Sequence, residues 1–87
     1  MPTLSQVLSR YGLSSRITAS IEPHRDDEGI WGIKFSAPGN PVGVSVDLGG
    51  ASRLAAELRG ISEIPLAERI DAAVAKARSF ARSPFPR

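Results

Sequence analysis

His24 and the charged residues that follow it are the first candidates for chemistry in this chain. His24 is the single histidine, and four charged residues, 25–28, come directly after it. A catalytic histidine needs an orienting partner and a defined pocket, and a metal site built on imidazoles needs a second histidine. An enzyme would need a concave pocket that holds Glu22 and Asp47, or His24. The crowded charges instead indicate a solvated turn, so we expect no catalytic residue.

Residues 47–52, Asp-Leu-Gly-Gly-Ala-Ser, come nearest to a phosphate-binding loop. They join a strand pattern to a helix pattern and include two glycines, but they lack the lysine and the full spacing of that motif. We interpret them as a plain strand-to-helix turn. The chain also has no cysteine, which excludes disulfides, thiolate metal sites and cysteine nucleophiles. We expect neither a metal nor a cofactor.

Length and composition fit one small soluble domain. The chain has 87 residues, 41% of them hydrophobic and 23% charged, and no apolar run approaches the roughly 20 residues of a membrane helix. The first ten residues lack the basic region and the apolar stretch of a signal peptide, so we expect a cytoplasmic protein. Nine arginines against two lysines, with abundant alanine, favour a bacterial source with a GC-rich genome.

Hydrophobic periodicity predicts three helices and three strands. Apolar residues at spacings of three and four predict helices at residues 4–11, 51–59 and 65–82. Alternation of apolar and polar residues predicts strands at residues 15–22, 31–37 and 42–48. Pro23 is expected to end the first strand, and Gly12 and Gly60 to stand just past helix ends.

The short connections decide the predicted architecture. The short loops between the predicted strands leave room for hairpins and none for helical crossovers, so we expect an antiparallel meander. One sheet face carries Trp31, Ile33 and Phe35 and would gain little by folding unless helices covered it. The prediction is an α+β fold: a two-layer α-β-β-β-α-α arrangement with a three-stranded antiparallel meander covered on one face by helices. Residues 1–82 form this single domain, and residues 83–87 form a short tail that contains proline.

The order α-β-β-β-α over residues 3–60 resembles the double-stranded-RNA-binding domain in element lengths as well as in order. That family contacts RNA through its first helix, the loop after its first strand, and a lysine cluster that opens the helix after the sheet. At the last of these places residues 50–53, Gly-Ala-Ser-Arg, supply one basic side chain, and the loop after the first strand holds three acids, residues 26–28. Because acids repel phosphate, nucleic-acid binding is an alternative function and not the favoured one.

Positive charge is concentrated at the C-terminus. The net charge is +2; residues 1–74 hold seven basic and nine acidic side chains, whereas residues 75–87 hold four basic and no acidic ones. Phe80 continues the apolar stripe of the third helix and should be a core residue. Phe85 lies between two prolines, as an aromatic anchor in an extended segment would. We predict that a partner binds here, through Lys76, Arg78, Arg82, Phe85 and Arg87.

The polar face of the sheet is the second candidate surface. It combines small and polar residues and would suit a flat docking platform, with the candidate residues Arg16, Thr18, Ile30, Lys34 and Ser45. Both sheet edges are open to pairing with another chain, since Pro23 and Pro41 stand at strand ends. Homodimerisation through a sheet edge, or through the alanine-rich last helix, is therefore a further hypothesis.

These features together favour a small non-catalytic protein that binds another protein. It would act as an adaptor, antagonist or regulatory subunit by occupying the surface of its partner. The first alternative is a nucleic-acid-binding domain with the topology described above, and the second is a small enzyme or enzyme subunit.

Overall fold

Three helices, a 3₁₀ helix and three strands make up the computed structural model, which describes residues 1–39 and 42–82. In chain order they are α1 (Leu4–Ser9), the 3₁₀ helix (Ser15–Thr18), β1 (Ser20–Arg25), β2 (Trp31–Ser36), β3 (Gly43–Asp47), α2 (Leu48–Gly60) and α3 (Ile64–Arg82). The predicted α+β order is confirmed. The predicted tail, residues 83–87, lies outside the described residues. No helix in the described ranges is long and apolar enough to cross a lipid bilayer.

The three strands form one antiparallel sheet in the order β1-β2-β3, which is the predicted meander. Successive side chains point to opposite faces, so residues paired across the strands share a face. The core face carries two apolar rows, Ile21–Phe35–Val44 and Pro23–Ile33–Val46, and ends in the pair Arg25–Trp31. Ile33 and Phe35, on the central strand, are completely buried.

Helices α2 and α3 cover this apolar face, as the sequence predicts. Their buried positions recur at helical spacing and are rich in alanine: Ala51, Leu54, Ala55, Leu58, Ala67, Ile70, Ala73, Val74 and Ala77. Val7 and Leu8 of α1 complete the same core. Alanine lets the helix axes approach the sheet closely, while the leucines and isoleucine supply most of the apolar area that leaves water.

The first strand begins later and ends later than predicted. Residues Ser15–Thr18, assigned to the strand by their alternation, form the 3₁₀ helix, and β1 continues through Pro23 to Arg25. β1 is an edge strand, and edge strands tolerate proline because one side of their backbone makes no ladder hydrogen bond.

The direction of the Pro23 nitrogen follows from the hairpin register. The Asp26 N–H donates to the Ile30 carbonyl at 2.9 Å, so these two residues form a hydrogen-bonded pair. Bonded and non-bonded pairs alternate along an antiparallel ladder. Pro23, which lies opposite Ile33, is therefore in a non-bonded pair. Its nitrogen points away from β2, and no hydrogen bond of the sheet is lost.

The glycine at the end of α1 is where the sequence predicts it, but the prediction for α2 is wrong. Gly12 has a φ of +74° just past α1. Gly60 lies inside α2, and the left-handed residue past this helix is Ser62, with a φ of +65°. The Glu63 N–H donates to the Leu58 carbonyl at 2.8 Å, which closes the helix end.

Polar contacts on the surface of α2 attach α1 to it. The Tyr11 hydroxyl donates to Glu57 Oε2 at 2.5 Å, and Arg10 Nη1 donates to Glu57 Oε1 at 2.6 Å. Burial of the ring raises the pKa of Tyr11, and the hydrogen bond from Tyr11 is the main cause that lowers the pKa of Glu57. The contact therefore favours a protonated tyrosine and an ionised glutamate.

Candidate functional site

The predicted basic residues of α3 are exposed, but they do not share one face. Lys76, Arg78 and Arg82 form no salt bridge with a carboxylate in the part of the chain that the structure describes. Residues four apart lie above one another on a helix. Arg78 and Arg82 therefore share one flank of α3, and Lys76 lies with Phe80 on the nearly opposite flank. Phe85 and Arg87, the other two predicted residues, lie outside the described residues.

Phe80 is not the core residue that the sequence predicts. Its side chain is 46% exposed, and its ring contacts Trp31 with 5.3 Å between centroids and an angle of 41° between the planes. Tilted pairs at this separation are favourable aromatic contacts. Trp31 is the first residue of β2, and no α3 residue after Ala77 is buried. The last turns of α3 therefore bury no side chain, and the Phe80 ring contacts Trp31 at the end of the sheet.

Two basic residues adjoin the aromatic pair in the fold, and the guanidinium group of one of them, Arg25, extends toward Gly29 in the hairpin turn. Arg25 is the last residue of β1 and lies opposite Trp31, on the same face of the sheet. Lys76 precedes Phe80 by one helical turn. We call Arg25, Trp31, Lys76 and Phe80 the aromatic–basic patch. Sequence reasoning missed Arg25 because Pro23 was expected to end the strand; alternation continued through Pro23 places Arg25 opposite Trp31.

The acidic run after Arg25 is a hairpin turn, as predicted. Asp26 Oδ1 accepts hydrogen bonds from the backbone N–H groups of Glu28, at 2.9 Å, and Ile30, at 2.8 Å. Aspartate commonly stabilises turns in this way. Asp27 and Glu28 are exposed at the tip. The Asp26 carboxylate thus has a structural role in closing the turn.

The polar face of the sheet has the small and polar character that the sequence predicts. Its three rows are His24–Gly32–Asp47, Glu22–Lys34–Ser45 and Ser20–Ser36–Gly43. Of the predicted platform residues, Lys34 and Ser45 are neighbours in the middle row. Ile30 lies just before β2 and is 60% exposed. Arg16 and Thr18 lie in the 3₁₀ helix and are not part of the sheet.

Gly32 leaves a shallow depression of about 140 Å³ on the polar face, between His24 and Asp47. A Cβ at Gly32 would lie 2.8 Å from the Val46 carbonyl oxygen, so strand packing itself requires glycine there. His24 forms no salt bridge within the described residues, and Glu22 does not line the depression. Within residues 1–39 and 42–82, no three or more His, Cys, Asp or Glu side chains are grouped so that they could hold a metal ion.

Arg16 and Thr18 belong to a different surface, beside the 3₁₀ helix. They line an open depression of about 560 Å³ together with Ser15, Ala37 and Arg69. Arg69 Nη2 donates to the carbonyl of the residue before β1 at 3.0 Å, which fixes its guanidinium group. The predicted platform is thus divided between the sheet face and this depression.

The junction of β3 and α2 has no loop in which a phosphate could bind. Asp47 is both the last residue of β3 and the N-cap of α2. A Cβ at Gly50 would lie 2.7 Å from Asp47 Oδ1, so a carboxylate already covers the first turn of the helix. Of residues 50–53, which correspond to the lysine cluster of the resembled family, Gly50 and Ala51 are buried and only Arg53 is exposed. The start of α2 therefore presents one exposed basic side chain where the resembled family has a lysine cluster.

The comparison with known proteins finds no match for this chain among family models, curated proteins or solved structures. The resemblance to the double-stranded-RNA-binding domain therefore rests on the order and lengths of the elements alone. Because one fold serves many functions, that order does not assign one. The function of these surfaces rests on their own chemistry.

Proposed function

We propose that this protein is a small non-catalytic binding module that acts by occupying the surface of another protein, as an adaptor, antagonist or regulatory subunit. The observation that carries the proposal is the aromatic–basic patch. Phe80 keeps 46% of its side-chain surface in water although it contacts Trp31. Aromatic residues and arginine are enriched at binding interfaces, and the patch combines two aromatic rings with Arg25. The proposed setting is the cytoplasm of a bacterial cell.

The partner docks on the C-terminal end of α3. Its apolar side chains cover the Trp31–Phe80 pair, and its carboxylates pair with Lys76 and Arg25 at the rim. Rim charges raise the association rate and the specificity more than they raise the affinity. A larger partner also reaches Arg78 and Arg82 on the other flank of the helix. In this proposal Phe85 and Arg87 of the tail extend the same interface.

A nucleic acid is a poorer fit to these surfaces than a protein. The acids of residues 26–28 adjoin the aromatic–basic patch, and the Asp47 carboxylate covers the start of α2. Both features oppose phosphate. Salt-sensitive binding of duplex RNA in a gel shift at low salt would favour the nucleic-acid function instead.

Two matched variants of α3 test the proposal. Phe80→Ala removes the exposed ring of the patch, whereas Ile64→Ala removes a side chain that is 40% exposed at the other end of the same helix. Each variant and the wild type are immobilised and exposed to an extract of the source cell, and the bound proteins are quantified by mass spectrometry. We expect a protein that the wild type and Ile64→Ala retain and Phe80→Ala loses by about tenfold or more. Equal retention by all three would contradict the proposal.

Deletion of residues 83–87 tests the tail separately. We expect an unchanged far-UV circular dichroism spectrum, because the described helices and strands and their core all lie within residues 4–82. The affinity for a partner found with the α3 variants should fall, since Phe85 and Arg87 are removed. An unchanged affinity would take the tail out of the interface and leave the patch as the binding surface.

A further inference from the structure

The two edges of the sheet differ in what they offer to another strand. On β1, the nitrogen of Pro23 points to the open side and has no hydrogen to donate. Just before β1, the Ala19 carbonyl already accepts from Arg69 at 3.0 Å. The β1 edge is therefore interrupted in two ways that natural sheets use to prevent edge pairing. β3 contains no proline, and among its outward carbonyls the one of Asp47, at the end of the strand, accepts the first hydrogen bond of α2.

The outward groups of β3 follow from the same alternation of bonded pairs. The Asp26–Ile30 pair is bonded, so on β2 every second residue, Lys34 among them, directs its backbone to β1. The residues between them direct theirs to β3 and bond to Val44 and Val46. The N–H and C=O groups of residues 43, 45 and 47 therefore point away from the sheet. Within the described residues, those of Gly43 and Ser45 have no other partner.

We propose that two copies of this chain pair through these β3 edges, antiparallel to each other, and so form a continuous six-stranded sheet. The two-fold axis passes beside Ser45, so that Ser45 lies opposite Ser45 of the second copy and Gly43 opposite Asp47. In this register the two Ser45 residues exchange both hydrogen bonds, and each Asp47 N–H donates to the Gly43 carbonyl of the second copy, since the Asp47 carbonyl already accepts the first bond of α2. Any shifted register that the pleat allows loses at least one hydrogen-bonded pair.

The positions of the Asp47 carboxylates favour the same register, and they favour a second copy of this chain as the partner strand. Each Asp47 carboxylate lies beside a glycine of the second copy, and the two Asp47 residues are at opposite ends of the paired segment. A shift of two residues toward the C-terminus would bring them closer, and like charges on adjacent strands are destabilising. On the other face Val44 comes opposite Val46, and both are half-buried in the single chain. The strand is thus complementary to itself in hydrogen bonds, charge and apolar contact.

The dimer leaves the aromatic–basic patch free. Helix α3 packs against β1 and β2, whereas α2 packs against β2 and β3. The patch, at Trp31 and Phe80, is therefore on the side of the molecule away from the paired edges. The dimer does not depend on the proposed function, and each dimer presents two copies of the patch.

Cysteine cross-linking tests the register directly, because the chain contains no cysteine of its own. Opposed residues of a bonded pair have Cα atoms about 5.5 Å apart, which lies within the range a disulfide spans. Under mild oxidation Ser45→Cys should form a covalent dimer about tenfold faster than Ser20→Cys, which places the thiol on the same face of the sheet at the β1 edge. Equal rates for the two variants would overturn the proposal.

Light scattering of the cysteine-free protein gives an independent result. We expect the mass to rise from 9.2 kDa toward twice that value as the concentration increases. Ser45→Pro removes only an outward N–H and should give a monomer with an unchanged circular dichroism spectrum. If that variant does not fold, Ser45→Lys, which opposes two cations across the axis, replaces it. A wild type that stays at 9.2 kDa at every concentration would refute the dimer.

Discussion

Replacing Gly43 by alanine tests how closely β3 packs on β2. Gly43 lies opposite Ser36 at the start of β3. A Cβ built at this residue falls well inside van der Waals contact with the Phe35 carbonyl oxygen, and 3.0 Å from the Ser36 Cβ. Both neighbours belong to the central strand, which β1 holds from its other side. The first residues of β3 must therefore move away from β2 to admit the methyl group.

The expected cost follows from the hydrogen bonds at this end of the ladder. A displaced β3 weakens the bonds between Val44 and Phe35, and one or two lost bonds cost about 1 kcal/mol each. Alanine also lowers the conformational entropy of the unfolded chain, which stabilises the folded protein by roughly 0.5 kcal/mol. We expect the free energy of unfolding to fall by about 0.5–1.5 kcal/mol, against the roughly 4–13 kcal/mol expected for 87 residues.

Urea unfolding, followed by the fluorescence of Trp31 and by circular dichroism, measures the change. Gly60→Ala is the matched control, since nothing lies within 4 Å of a Cβ there and Gly60 is inside α2. That substitution should stabilise the protein by about 0.5–1 kcal/mol. A Gly43→Ala protein as stable as the wild type, with the same dependence on urea, would refute the close packing of the two strands.

Two further predictions concern the dependence of stability on pH and the different contributions of a core residue and a patch residue to stability. The lowered pKa of Glu57 means that its contribution to stability is complete above about pH 4.5 and is lost as the pH falls through the folded-state pKa. Tyr11→Phe removes the hydrogen bond that is the main cause of the lowered Glu57 pKa. The urea midpoints between pH 3 and 7 should therefore depend less on pH in this variant than in the wild type. Phe35→Ala should cost about 3–5 kcal/mol, because Phe35 is completely buried, and Phe80→Ala less than about 1.5 kcal/mol; similar losses in urea unfolding would contradict this division.

The meander and its helical cover were predictable from periodicity, but the position of β1 was not. Ile17, Ala19 and Ile21 alternate as a strand does, although residues 15–18 form a 3₁₀ helix. Pro23 was expected to end the strand because proline breaks a ladder. At an edge it does not, since its nitrogen points to solvent. Whether a strand lies at an edge depends on the pairing of all three strands, which a local pattern does not contain.

The candidate site was predictable in its chemistry and only partly in its geometry. Charge counting located the basic end of the chain, and Lys76, Arg78 and Arg82 are indeed exposed on α3. Helical spacing already separates Lys76 from the two arginines onto different flanks. Phe80 follows the apolar stripe perfectly, but the sheet ends beneath it at Trp31. The length of a helix relative to the sheet it covers is a tertiary property, so the exposed ring could not be inferred from the stripe.

The direct passage from β3 to α2 fixes the rotational phase of the helix. One extra residue after Asp47 would turn α2 by about 100° and carry Leu54 and Leu58 from the interior toward water. Sequence length is therefore constrained at this junction far more than at the hairpin tip, where Asp27 and Glu28 are exposed. A reporter domain or an epitope tag inserted at that tip would leave the phase of every helix unchanged, whereas one inserted at the junction would not.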